Sequence, residues 1–78
     1  MDEKVLDVLE RLCGTDEVKN DRDINMFESG LMDSLGFIEL VMSMEEDFGL
    51  SVEPTEIQRE EIETPNKVIE YIKSRKSK

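Results

Sequence analysis

The chain is 78 residues long, 38% charged and 37% hydrophobic, with 20 acidic side chains against 10 basic ones and a formal net charge of −10. That length fits one domain, residues 1–78, with a modest core and little room for an enclosed active site. A surface this negative repels nucleic acid phosphates and anionic membranes and favours basic protein surfaces, although its plainer role is solubility.

Residues 2–13 carry apolar side chains at Val5, Leu6, Leu9, Leu12 and Cys13, which is helical spacing. Asp2 is placed to cap this helix and Gly14 to end it. Cys13 is the single cysteine, so no internal disulfide forms, which fits a reducing compartment. On the same face as Leu9 and Leu12, it reads as a buried thiol rather than a nucleophile. Residues 14–33 form a long connection, and its apolar anchors Val18, Ile24, Met26, Phe27 and Leu31 argue that it is packed down. Within it, Asp21, Asp23 and Asn25 open with the spacing of an EF-hand calcium loop. That reading fails because Met26 stands where glycine is needed and Met32 where the bidentate glutamate is needed.

The next helix runs over residues 34–48, with Asp33 as its N-cap and Gly49 as its stop. Phe37, Leu40, Val41, Met44 and Phe48 share the face expected to meet the core. Leu35, Glu39, Met42 and Glu46 form a second stripe that mixes apolar and acidic side chains. Such a stripe suits protein binding, unless the long connection covers Leu35 and Met42. A short helix is expected after Pro54, where Thr55 and Gln58 have capping-box spacing. Thr64-Pro65 starts the last helix, Val68, Ile69 and Ile72 give its apolar stripe, and Lys73, Arg75, Lys76 and Lys78 supply positive charge at its C-terminal end. The expected fold class is all-α, a small four-helix bundle of three main helices and one short one, with a long first loop. No signal peptide or span of membrane-crossing length is evident, so a soluble, cytoplasmic chain is expected.

Ser34 stands at the first turn of the 34–48 helix. The chain has no histidine to activate it. As a residue type it could serve only as a second capping group, yet a helix N-terminus also tolerates an attached phosphate. "GLMDSLGFIELVMSMEEDFG" resembles the signature of the acyl carrier protein superfamily, over nearly the whole chain. The resemblance implies that Ser34 receives 4′-phosphopantetheine from a separate phosphopantetheinyl transferase, with Asp33 as the flanking motif residue. It implies that Leu35, Glu39, Met42 and Glu46 face basic partner enzymes. It also implies a carrier acting as a substrate of other enzymes rather than an enzyme.

"IQREEIETPNKVIEYI" further resembles the C-terminal half of D-alanyl carrier proteins. That subgroup accepts D-alanine from an adenylating ligase and passes it, through a downstream acyltransferase, toward teichoic acid. Two departures stand out. Ile62 occupies the place of the subgroup's usual tryptophan, and Gly36 that of the acid many carriers have after Asp-Ser-Leu. The alternative within the superfamily is a carrier of fatty acid, polyketide or other secondary-metabolite synthesis. The alternative outside it is an unmodified acidic helical adaptor that uses the same stripe. The expected carrier is a monomer, not embedded in a membrane, without a nucleic acid partner or a metal site.

Overall fold

The computed structural model describes residues 2–76. Met1 and Ser77 lie outside the described residues, as does Lys78, which the sequence assigns to the basic end of the last helix. Four α-helices, and no strand, occur among the described residues: α1 (Asp2–Cys13), α2 (Glu17–Asn20), α3 (Ser34–Phe48) and α4 (Pro65–Lys76). The all-α reading therefore stands. Helix α1 packs against each of the other three and is the hub of the bundle. It contributes Val5, Leu6, Val8 and Leu9 to a core shared with Leu40, Val41, Met44 and Phe48 of α3 and Val68, Ile69 and Ile72 of α4. Each such side chain withdrawn from water stabilises the fold by about 1.5–3 kcal/mol.

Local chemistry fixes the helix ends. Gly14 adopts the left-handed conformation (φ 71°) after α1, and its N–H donates to Glu10 O. Gly49 does the same after α3 (φ 69°), donating to Glu45 O. Thr64 Oγ1 accepts from the Lys67 N–H at 3.1 Å, and Pro65 follows at the first helical position, so α4 starts as its sequence implies.

The connection over residues 14–33 is not wholly loop. It contains α2, whose four residues are too few to show a hydrophobic period. A single turn is a poor helix in isolation, and it is the fully buried Val18 that holds it. The rest of the connection is packed down, as its apolar anchors imply. Met26 and Met32 are buried, the Met26 N–H donates to Glu63 O at 2.8 Å, and the Asn66 N–H donates to Arg22 O at 3.0 Å. The loop is thereby tied to the start of α4.

The segment after Pro54 differs from expectation as well. It forms two 3₁₀ turns, Pro54–Glu56 and Arg59–Glu61, rather than one helix. Ile57 lies between them with extended backbone and a buried side chain, which interrupts helical winding. The reciprocal cap pairs Gln58 with Glu61, not Thr55 with Gln58. The Gln58 side chain accepts from the Glu61 N–H, and Glu61 Oε1 accepts from the Gln58 N–H at 3.2 Å. Ile62, in the place where a tryptophan is usual, is fully buried.

Candidate functional site

Asp33 holds extended backbone immediately before α3, and its Oδ1 accepts from the Gly36 N–H at 2.8 Å. The cap satisfies one of the donors left open at the helix start and orients Ser34 as the first helical residue. Ser34 is exposed. Its Oγ accepts a hydrogen bond from Arg59 Nη2 at 3.2 Å. The Arg59 guanidinium in turn lies over the Phe27 ring, 5.0 Å from its centroid, and Phe27 meets Phe37 in a tilted ring pair at 6.3 Å. Beside the hydroxyl, Ser34, Phe37, Ile38, Pro54, Ile57 and Arg59 line a mainly apolar cleft of about 270 Å³.

Gly36 has a physical reason to be glycine. A Cβ there would come within 3.0 Å of Met32 Cγ, so the acid many carriers have at this position would require the buried Met32 to shift.

Helix α3 separates its faces largely as its sequence implies. Leu40, Val41, Met44 and Phe48 are buried. Phe37, assigned to the same face, is only half-buried and forms a wall of the cleft. Leu35 is 64% exposed and Met42 55%, so the long connection does not cover them. Glu39 and Glu46 are exposed beside them. Two residues escape the sequence reading. Ile38, 45% exposed, widens the apolar stripe toward Ser34, and Ser43 is buried against α1, where Arg11 Nη2 donates to its Oγ at 3.4 Å. A core face centred to include Ser43 turns Ile38 outward. A serine carries no hydrophobic signal, so the sequence gives no reason to centre it there.

The three residues that resemble an EF-hand opening all accept hydrogen bonds from the protein itself. Asp21 Oδ1 accepts from the Asp23 N–H, and Asn25 Oδ1 accepts from the N–H groups of Phe27 and Glu28. Asp23 Oδ1 accepts from Asn66 Nδ2 at 2.9 Å, a further tie to α4. Cys13 is half-buried, and burial pushes its thiol up, which keeps it protonated and unreactive.

Chemically, the arrangement around Ser34 is an acceptor's. Its hydrogen-bond partner is a guanidinium, which cannot take a proton and so cannot act as a general base. It can stand beside an anion. Residues 3–72 match the family described as the phosphopantetheine attachment site. The chain belongs to that family.

As a family member, the protein carries 4′-phosphopantetheine on a serine. The donor set fits such a group: an exposed hydroxyl, a helix start and a cation beside the same oxygen. Similar proteins include the D-alanyl carrier protein of Abiotrophia defectiva, 51% identical over 75 residues, with 96% of this chain and 95% of the relative covered. Those of Lacticaseibacillus rhamnosus (45% over 65 residues, 83% and 80% covered) and Bacillus velezensis (46% over 67 residues, 86% of each covered) are also similar. The superfamily and the subgroup read from Asp33-Ser34-Leu35 and from the Gln58–Lys67 stretch are both borne out. No helix among the described residues is long and apolar enough to cross a membrane.

Proposed function

We propose that Ser34 is the attachment point of the phosphopantetheine arm and that the cargo of the carrier is D-alanine, taken from an adenylating ligase and delivered to a downstream acyltransferase toward teichoic acid. The observation that carries the assignment is the geometry of Ser34: an exposed hydroxyl at the start of α3, capped in place by Asp33, with Arg59 on its oxygen. D-alanine follows from the relatives, which are D-alanyl carrier proteins over nearly their full length.

The chain's own residues divide the work. Ser34 supplies the nucleophilic oxygen, and the transferase supplies the base that this site lacks. Asp33 fixes the turn on which Ser34 is presented. Leu35, Ile38 and Met42 offer apolar contacts to a partner, and Glu39 and Glu46 guide basic partner surfaces onto them. When bound, the group supplies a thiol that holds the acyl unit as a thioester. The carrier works in the cytoplasm as a monomer, and it is a substrate of its partners, not an enzyme. A small charged cargo suits a core whose centre is filled by Met26, Leu40, Met44, Ile62 and Ile72, all with 1% exposure or less. Its ammonium would lose hydration in such a core and is better kept outside.

Intact mass spectrometry tests both parts. With coenzyme A and a broad-specificity transferase, the wild type should gain one phosphopantetheine, and Ser34→Ala none while remaining helical by circular dichroism. Modification retained in Ser34→Ala would overturn the site. The wild-type product should then gain D-alanine with ligase and ATP. A medium-chain fatty acyl adduct with an acyl-ligase, and no D-alanine adduct, would overturn the cargo.

A further inference from the structure

Arg59 points at the proposed attachment point itself. On a chain with a surplus of ten acids, its guanidinium is aimed at the oxygen of Ser34, 25 residues away in sequence. Several features hold it there. Arg59 opens the second 3₁₀ turn, whose backbone is closed by the reciprocal Gln58–Glu61 cap. Ile57 and Ile62, buried on either side, anchor the turn in the core. Phe27 provides an aromatic seat under the guanidinium, and Phe37 backs Phe27. A long, exposed arginine side chain normally samples many rotamers, and this seating reduces what is lost when it binds an anion.

A neutral hydroxyl gains little from so prepared a cation. A phosphodiester on that oxygen would gain more. It places one negative charge beside the Asp33 carboxylate, which the helix start offsets only in part. We infer that Arg59 is the positioning residue for the modified serine: it pairs with the phosphodiester at Ser34, neutralises it against Asp33, and so sets the direction in which the arm leaves α3, along the cleft walled by Phe37, Ile38 and Ile57. The inference rests on attachment at Ser34. It adds a role for a residue outside the α3 stripe, on the turn that follows it.

The test uses the full-length holo protein, prepared with coenzyme A and a transferase, as wild type, Arg59→Gln, Arg59→Lys and Phe27→Leu. Intact mass and fragmentation establish modification at Ser34, and circular dichroism establishes the fold. Phosphorus NMR then reads the phosphodiester directly. The wild-type resonance should be displaced from that of Arg59→Gln, and the displacement should vanish at about 1 M salt, where the screening length is about 3 Å. Arg59→Lys should keep part of the displacement. Phe27→Leu, which keeps the cation but removes its seat, should lose much of it. Melting gives a second readout. Going from apo to holo should cost Arg59→Gln about 3 °C more than it costs the wild type, whereas a merely structural role would shift both forms equally. If holo wild type and holo Arg59→Gln show the same resonance and the same apo-to-holo change, the pairing is overturned while attachment at Ser34 stands. If the wild type gains no mass at Ser34, the attachment and the pairing fall together.

Discussion

Asp33 and Ser34 are neighbours with opposite duties. Asp33 engages its carboxylate with the Gly36 N–H and belongs to the fold, whereas Ser34 stands exposed as the proposed attachment point. Their substitutions should separate accordingly. Asp33→Ala should lower stability by about 1 kcal/mol, the worth of an N-cap, or about 4–8 °C of melting temperature in a domain this small. Ser34→Ala should stay within about 0.5 kcal/mol of wild type. Parallel thermal melts decide it, and equal melting temperatures would show that α3 does not depend on this cap. Both residues are legible in the sequence because capping is a local grammar, written within four positions. Arg59 is legible only as one letter of a family stretch. Its meeting with Ser34 depends on how the chain returns after α3, on Ile57 and Ile62 being buried, and on Phe27 lying beneath it. No spacing rule connects those places.

At the scale of the element, α3 carries two incompatible faces, and the bundle resolves them by burying one. The exposed stripe of Leu35, Ile38 and Met42, beside Glu39 and Glu46, has little to do for folding. Charge reversal there should therefore change encounter rather than stability. Glu39→Lys combined with Glu46→Lys is expected to melt no lower than wild type, because any loss of less than about 0.5 kcal/mol per site is offset by the smaller surplus of acids. Its modification by the transferase at low salt should slow by roughly tenfold, through association rate, and the deficit should shrink as salt rises. Stopped-flow or discontinuous mass assays across a salt series would check this, and a rate equal to wild type at low salt would remove the stripe from the interface. The main helices are legible because their period and end signals agree. The short elements are not. The four residues of α2 hold by the burial of Val18, and the Pro54–Glu61 segment breaks into two turns because Ile57 takes extended backbone to reach the core. Tertiary contacts decide such pieces, and tertiary contacts are what a local pattern omits.

Across the whole molecule, two electrostatic effects oppose one another, and their balance can be measured. The ion pairs Lys19–Asp7, Lys73–Asp2, Lys67–Glu63 and Arg75–Glu56, at 2.7–3.1 Å, tie α1 to α2 and α4, the chain before α4 to α4, and α4 to the first 3₁₀ turn. They are strong enough to hold the Asp2 and Glu63 carboxyls below their ordinary range, chiefly through the hydrogen bonds from Lys73 and Lys67. Each keeps at least one exposed partner, with Asp2, Glu63 and Arg75 only partly exposed, and pairs that water reaches in this way contribute about 0–1 kcal/mol each. Against them stands the net charge of −10 on 78 residues, a mutual repulsion that every surplus carboxylate feels and that unfolding relieves by spreading the chain. Salt screens both effects. If the pairs dominated, salt would destabilise the fold. The repulsion involves more charges, and each pair is already weakened by water, so repulsion should win. Raising salt from about 20 mM to about 500 mM shortens the screening length from above 10 Å to below 8 Å. The expected result is a gain of roughly 1 kcal/mol, seen as a rise of about 4–8 °C in melting temperature. The same series on Glu39→Gln, which removes one exposed acid and leaves these four pairs in place, should rise less steeply, because less repulsion remains to be screened. A melting temperature that falls with salt in the wild type would mean that the exposed pairs, not the hydrophobic core acting against surplus charge, set the stability of this carrier.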